Sequence, residues 1–248
     1  MCCTPQLYPT TLASTTRTSI PVVVCSTHVL PILLSMLRKF IRPETSHGHN
    51  WRTLSVHRYR PDNGRRQKSV AGAGPSMHSV RMLIRRENPG DIDAVAAVHR
   101  QAFDGDAPLE VGLVTRLRSS HAWVPQLSLV AEVAGSVAGH VCLTRATVDS
   151  TDVLALGPIG VLPGLQRDGV GSALMHAALG GADARDEPLV ALLGHLDYYP
   201  RFGFVSGTSV GIEPDQPSWS SHFQVRLLAR WDPSMSGTFR YAAPFYDL

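Results

Sequence analysis

Val153-Leu-Ala-Leu-Gly-Pro-Ile-Gly-Val161 leads into Leu162-Pro-Gly-Leu-Gln-Arg-Asp-Gly-Val-Gly171 and then Ser172-Ala-Leu-Met-His-Ala-Ala178. The apolar run stops at Pro163-Gly164, a turn signal. From Val170 the apolar residues fall at Val170, Ala173, Leu174, Ala177 and Ala178, one face of a 3.6-residue period. The stretch therefore predicts a strand, a glycine-rich turn and the opening of a helix. The first turn of a helix presents unpaired N–H groups and the positive end of the dipole, which favours an anion. Gly169 and Gly171 have no Cβ, so a bulky anion can come close to the backbone. Gln166, Arg167, Asp168, Gly169, Val170, Gly171 and Ser172 form a candidate pyrophosphate cradle. The plainer alternative is that Asp168 is an N-cap and fills the site itself. Two other nucleotide motifs are excluded. Leu174 stands where the dinucleotide fingerprint needs its third glycine, and no Gly-Lys-Ser/Thr follows.

Gln166-Arg-Asp-Gly-Val-Gly171, after Ile159-Gly-Val161, resembles the acyl-CoA-binding signature Q/R-x-x-G-x-G/A of the GNAT superfamily of N-acetyltransferases. Downstream, Leu193-Gly-His195-Leu-Asp-Tyr198-Tyr199-Pro-Arg201-Phe-Gly-Phe204 is similar to the L-G-H-x-x-Y-Y-x-R-F-G-F segment of a bacterial GNAT subgroup. The resemblance runs from Met82 to the C-terminus. It implies an α/β GNAT (acyl-CoA N-acyltransferase) fold, with a mixed, largely antiparallel sheet flanked by helices. It implies acetyl-CoA as acyl donor, with its pyrophosphate on the amides of Gln166 to Ser172 and its pantetheine arm along Ile159, Gly160 and Val161. It implies Tyr199 as the acid that protonates the leaving sulfur, Tyr198 being read as a packed aromatic. The base is weakly specified: His195 is of a residue type suited to proton transfer at neutral pH, although a structural role in its loop fits it as well, and water relays to Glu132 or Asp152 are alternatives. The expected activity is transfer of an acetyl group to a primary amine of a small molecule or protein. The rival is a non-catalytic acyl-CoA-sensing module of the same fold.

Around these motifs the chain divides into two materials. Residues 1–80 hold 10 Arg/Lys against 2 Asp/Glu, and residues 81–248 hold 13 against 18, so the net charge of +3 describes neither part. Residues 1–81 lack sustained periodicity and close on Ala71-Gly-Ala-Gly-Pro75, which predicts a basic, disordered leader or a start-site artefact ahead of Met82. Its apolar run from Ile20 to Leu37 is interrupted by Pro21, Ser26, Thr27, His28 and Pro31, which argues against a membrane span. Its aromatics are too sparse to favour nucleic acid. Cys142 stands alone in residues 82–248 within an apolar run and reads as packing. No Cys/His ligand spacing occurs, so no metal is expected, and this cysteine usage fits a reducing, cytoplasmic setting.

In residues 82–248 the pattern predicts a strand at Met82–Arg85 and a helix opened by Asn88-Pro89 and running to Phe103 on Ile92, Val95, Ala96, His99 and Phe103. A helix over Pro108–Arg118 follows, capped by Asp106, with Leu113, Val114 and Leu117 inward. Strands at Leu127–Val133 and Val137–Thr147 are joined by the hairpin signal Ala134-Gly-Ser136. Pro158 inside the next strand predicts a bulge or an edge. Pro188–Leu193, a helical turn at Asp197–Phe202, a strand from Phe204 and a last strand at His222–Ala229 complete the order, and Tyr241–Phe245 packs back on the domain.

Overall fold

A computed structural model describes residues 81–103 and 108–247. The sheet opens with β1 (Met82–Arg86), β2 (Trp123–Val133), β3 (Ser136–Val148) and β4 (Thr151–Val161), an antiparallel meander in register Met82↔Val133, Val133↔Ser136 and Val148↔Thr151. Ala134 and Gly135, both at positive φ (51° and 82°), join β2 to β3 in the left-handed two-residue geometry that matches strand twist. The predicted cap Asp106 lies outside the described residues. Helix α1 (Ile92–Ala102) follows a short 3-10 turn at Pro89–Asp91, in which the Asp91 carboxylate accepts the Asn88 N–H at 2.7 Å. Its inner face is Val95, Val98, His99 and Ala102, whereas Ile92 is exposed; Asn88 and Pro89 open the segment as expected, with its first turn 3-10 rather than α. Helix α2 (Leu109–Arg118) buries Leu113, Val114 and Leu117 as its spacing requires.

β4 is where the sheet changes character. Val141 pairs with Ile159 but Leu143 pairs with Leu156, so Gly157 and Pro158 together oppose Cys142 alone. This is the bulge that the proline predicts, since its missing N–H cannot serve the ladder. The Cys142 thiol donates to the Gly157 carbonyl at 3.2 Å and is fully buried; burial pushes its pKa far up, so it packs rather than reacts. On its other edge β4 meets β5 (Leu189–Leu193) in parallel over only Leu154↔Val190 and Ala155↔Ala191. Beyond Ala155 the two strands part, leaving that edge of Leu156–Val161 without a strand neighbour among the described residues.

Helix α3 (Val170–Asp183) connects β4 to β5 across one face of the sheet. Its inner stripe Leu174, Met175, Ala178 and Ala182 packs on Leu127, Leu129, Val141, Leu143, Leu154 and Leu156. A Cβ at Gly139 would stand 3.0 Å from Leu174, so the glycine sets how closely α3 approaches β3. α1 and α2 cover the opposite face, over Val130, Cys142 and Ala146. The C-terminal half adds β6 (Val205–Ser206), β7 (Ile212–Pro214), β8 (Phe223–Leu227) and β9 (Gly237–Arg240). β8 lies between β5 and β6, while β9 pairs with β3 at Thr147 and Val148 and with β7. The last strand is therefore β9, not the 222–229 segment. β7 and β9 span only three and four residues, too short for an alternation to be visible. The predicted turn at 197–202 is a 3-10 turn over Tyr199–Phe202, and Tyr241 and Phe245 do pack back into the core.

Candidate active site

The geometry of the site is set by the loop between β4 and α3. Arg167 and Gly169 both take positive φ (73° and 86°), and Gly169 is the residue that caps α3. Among the described residues the amides of Arg167, Asp168, Gly169, Val170, Gly171 and Ser172 donate to nothing, and the ladder starts with Ala173 N–H on the Gly169 carbonyl at 2.9 Å. Asp168 is exposed and accepts none of them, and the helix has no side-chain cap, so the alternative in which Asp168 fills the site is not realised. Gln166 bonds inward, its Nε2 donating to the Val161 carbonyl at 3.0 Å, which ties the loop to the end of β4. Six unpaired donors stand at the positive end of a 14-residue helix, an arrangement that favours negative charge.

The tyrosine segment closes the other side. Tyr198 reaches back to α3: its hydroxyl faces the Ser172 side chain and lies 3.1 Å from where a Cβ on Gly171 would be. The Arg201 guanidinium sits 4.9 Å from the centre of the Tyr198 ring. Tyr198 packs as an aromatic against the core, as expected, and in addition reaches the first turn of α3, a contact that the motif alone does not reveal. Tyr199 stands edge-on to Tyr198 and Phe204, at 5.1 and 5.8 Å between ring centres. Its ring occupies the space that a side chain at position 194 would need, which is why Gly194 follows β5. Burial, with Tyr198 beside it, pushes the Tyr199 phenol far above its ordinary value and keeps it protonated.

The residues considered for the base are scattered. His195 is partly buried, with Nδ1 3.7 Å from the Asp197 carboxylate, and its carbonyl accepts the Tyr198 N–H at 3.1 Å. Glu132 is paired with Arg85 at 3.0 Å near the outer edge of the sheet. Asp152 lies in β4 opposite Thr147, at the end remote from the bulge.

A different cluster crosses the sheet beneath α1. His99 Nε2 is 2.8 Å from His140 Nδ1, and His140 Nε2 is 3.0 Å from Ser128 Oγ. Ser128 donates to Glu87, whose other oxygen accepts from Arg118. Both histidines are fully buried and held neutral, His99 by burial and by the charges of His140 and Arg118, His140 by burial against the pull of Glu87. Burial by itself pushes the Glu87 carboxyl up, but hydrogen bonds from His140 and Ser128, with the Arg118 charge, hold it below the ordinary carboxylate range. Sequence reading places His99 on the buried face of its helix and finds nothing at His140. The visible signal is a histidine inside an apolar strand.

Among the described residues no group of three or more His, Cys, Asp or Glu is arranged to hold a metal, and no helix is long and apolar enough to cross a membrane. Residues 97–204 match the model of the Acetyltransferase (GNAT) family. The chain is 31% identical over 159 residues to the uncharacterized N-acetyltransferase YhbS of Escherichia coli K12, covering 63% of this chain and 92% of that protein. It is 37% identical over 118 residues to the uncharacterized N-acetyltransferase YjhQ of the same organism, covering 46% of this chain and 64% of YjhQ. The crystal structure of YhbS in complex with CoA superposes with a TM-score of 0.63 at 27% identity, over 68% of this chain and 93% of YhbS. A GNAT family acetyltransferase from Brucella melitensis in complex with acetyl-CoA superposes with a TM-score of 0.55 at 30% identity, over 66% of this chain and 98% of that one. This chain belongs to the GNAT family of N-acetyltransferases.

Proposed function

We infer that the protein transfers an acetyl group from acetyl-CoA to a primary amine by direct attack on the thioester. The observation that carries this reading is the row of six unpaired amides from Arg167 to Ser172, set beside the gap where β4 leaves β5. Two similar proteins whose structures contain CoA or acetyl-CoA support the choice of donor. The diphosphate sits on the Gln166–Ser172 loop, with the Arg167 guanidinium adding a charge-assisted contact. The pantetheine arm runs along Ile159, Gly160 and Val161, whose edge has lost its strand partner, and an N–H there polarises the thioester oxygen. The amine nitrogen bonds to the acyl carbon, the C–S bond breaks, and Tyr199 protonates the departing sulfur. A phenol held neutral by burial suits that role.

The acceptor is a primary amine of a small molecule or of a protein. Acetyl-CoA turnover against a panel of amines tests the reading: acceptor-dependent release of free CoA is expected. Saturable CoA binding without release for any amine identifies a sensing module instead.

A further inference from the structure

The buried polar chain crosses the strands in one line. Glu87 follows β1, Ser128 lies on β2, His140 on β3, and opposite His140 in register is Gly160 on β4. His99 hangs over this line from α1, and a Cβ at Gly160 would stand 3.0 Å from His99 Nδ1. The line therefore ends at the part of β4 that borders the gap. Its polarity is fixed from the far end. Glu87, paired with Arg118 and accepting from Ser128, is the ionised acceptor. The Ser128 proton points to Glu87, so Ser128 Oγ accepts from His140 Nε2–H, and His140 Nδ1 accepts from His99 Nε2–H. Each neutral imidazole carries one proton, which leaves His99 Nδ1 as a bare acceptor. That nitrogen is buried and has no partner among the described residues. A buried acceptor left unpaired costs stability, and here it sits at Gly160, beside the reacting thioester in the transferase reading.

We propose that His99 Nδ1 is the entry of a proton relay, through His140 and Ser128 to Glu87, that accepts the proton leaving the acceptor ammonium. The N–H bond of the ammonium breaks and a proton arrives on His99 Nδ1. His99 passes its Nε2 proton to His140 Nδ1, His140 passes its Nε2 proton to Ser128, and Ser128 passes its own to Glu87. One proton enters, one carboxylate is neutralised, and no other reactant is needed. Burial disfavours a lasting imidazolium, so the histidines hand the charge on rather than hold it. The charged or titratable groups facing the imidazoles are Arg118 from α2, Glu87 after β1 and the Cys142 thiol two residues along β3; β4 contributes none there.

The relay rests on the transferase reading, and two measurements separate them. Spectra of the full chain with ¹⁵N-labelled histidine, at about neutral pH where ordinary imidazoles are mostly uncharged, are expected to show His99 with Nε2 protonated and Nδ1 bare. A proton on Nδ1 overturns the relay whatever the activity. Transfer from acetyl-CoA to spermidine, a lysine peptide and an aminoglycoside is then followed against pH for the wild type, His99→Asn, Ser128→Ala and Ser128→Thr. At neutral pH His99→Asn is expected to lower kcat by about 10²-fold while CoA affinity is kept. The deficit closes as pH rises toward the pKa of the amine, which then arrives already neutral. Ser128→Ala follows the same pattern, and Ser128→Thr, which restores a hydroxyl, recovers most of the rate. A loss equal at every pH, or no loss, overturns the relay alone. A wild type that binds CoA and acetylates none of these amines overturns the transferase reading and the relay together.

Discussion

Tyr199 and Tyr198 are adjacent in the chain and do different things. Tyr199 packs on Gly194 with a phenol held neutral, while Tyr198 reaches Ser172 at the mouth of α3. Tyr199→Phe is accordingly expected to lower kcat by about 10²-fold and to leave CoA affinity within about twofold, since the ring and its packing remain; steady-state kinetics beside calorimetric CoA titration check this. Unchanged turnover removes Tyr199 as the acid. Gly171→Val places a branched side chain against the Tyr198 hydroxyl and, in the proposed binding mode, in the path of the diphosphate, so CoA affinity is expected to fall about tenfold or more. An unaltered dissociation constant contradicts the cradle. The motif spacing singles out Tyr199 and the glycines as candidates. It could not assign Tyr198, because its contact joins residues 26 positions apart in the chain. The histidine pair was hidden for the same reason: His99 and His140 meet only once α1 is laid over β3.

Among the elements, α3 has two tasks: its inner stripe anchors it to the sheet, and its first turn presents the free amides. Leu174→Ala removes a fully buried side chain from that stripe and is expected to cost about 2–5 kcal/mol of stability. Chemical denaturation measures it, and a change below about 1 kcal/mol contradicts the packing described. α3, β4 and the β2–β3 hairpin were legible because each couples a clear period with a decisive punctuation, such as Pro158 or Ala134-Gly135. β7 and β9 were not. β7 is placed by pairing with β9, and β9 by pairing with the end of β3 more than 90 residues away, and such pairing leaves no mark on stretches of three and four residues.

The molecule as a whole carries a pH dependence built into its interior. His99 and His140 are held neutral, so their pKa values in the folded state lie below the ordinary 6.5. Below that pH the unfolded chain binds two protons that the folded chain refuses, so stability must fall as pH drops from about 7 toward 5. Glu87 works in the same sense at lower pH: its depressed pKa stabilises the fold above the ordinary carboxylate value and ceases to do so as pH falls through and below it. Denaturation midpoints at three pH values between 8 and 5 test this, and an unchanged midpoint contradicts the neutral, buried histidines. The overall α/β architecture was legible because two local motifs fixed the order of its central elements. The far-apart residues of the polar line required the folded sheet. The most direct test of the whole account is a backbone amide spectrum recorded while CoA is added, beside a matched titration with pantetheine, which lacks the diphosphate. The amides of Arg167 to Ser172 are expected to move downfield with CoA and to stay in place with pantetheine; CoA binding that leaves these six resonances where they were contradicts it.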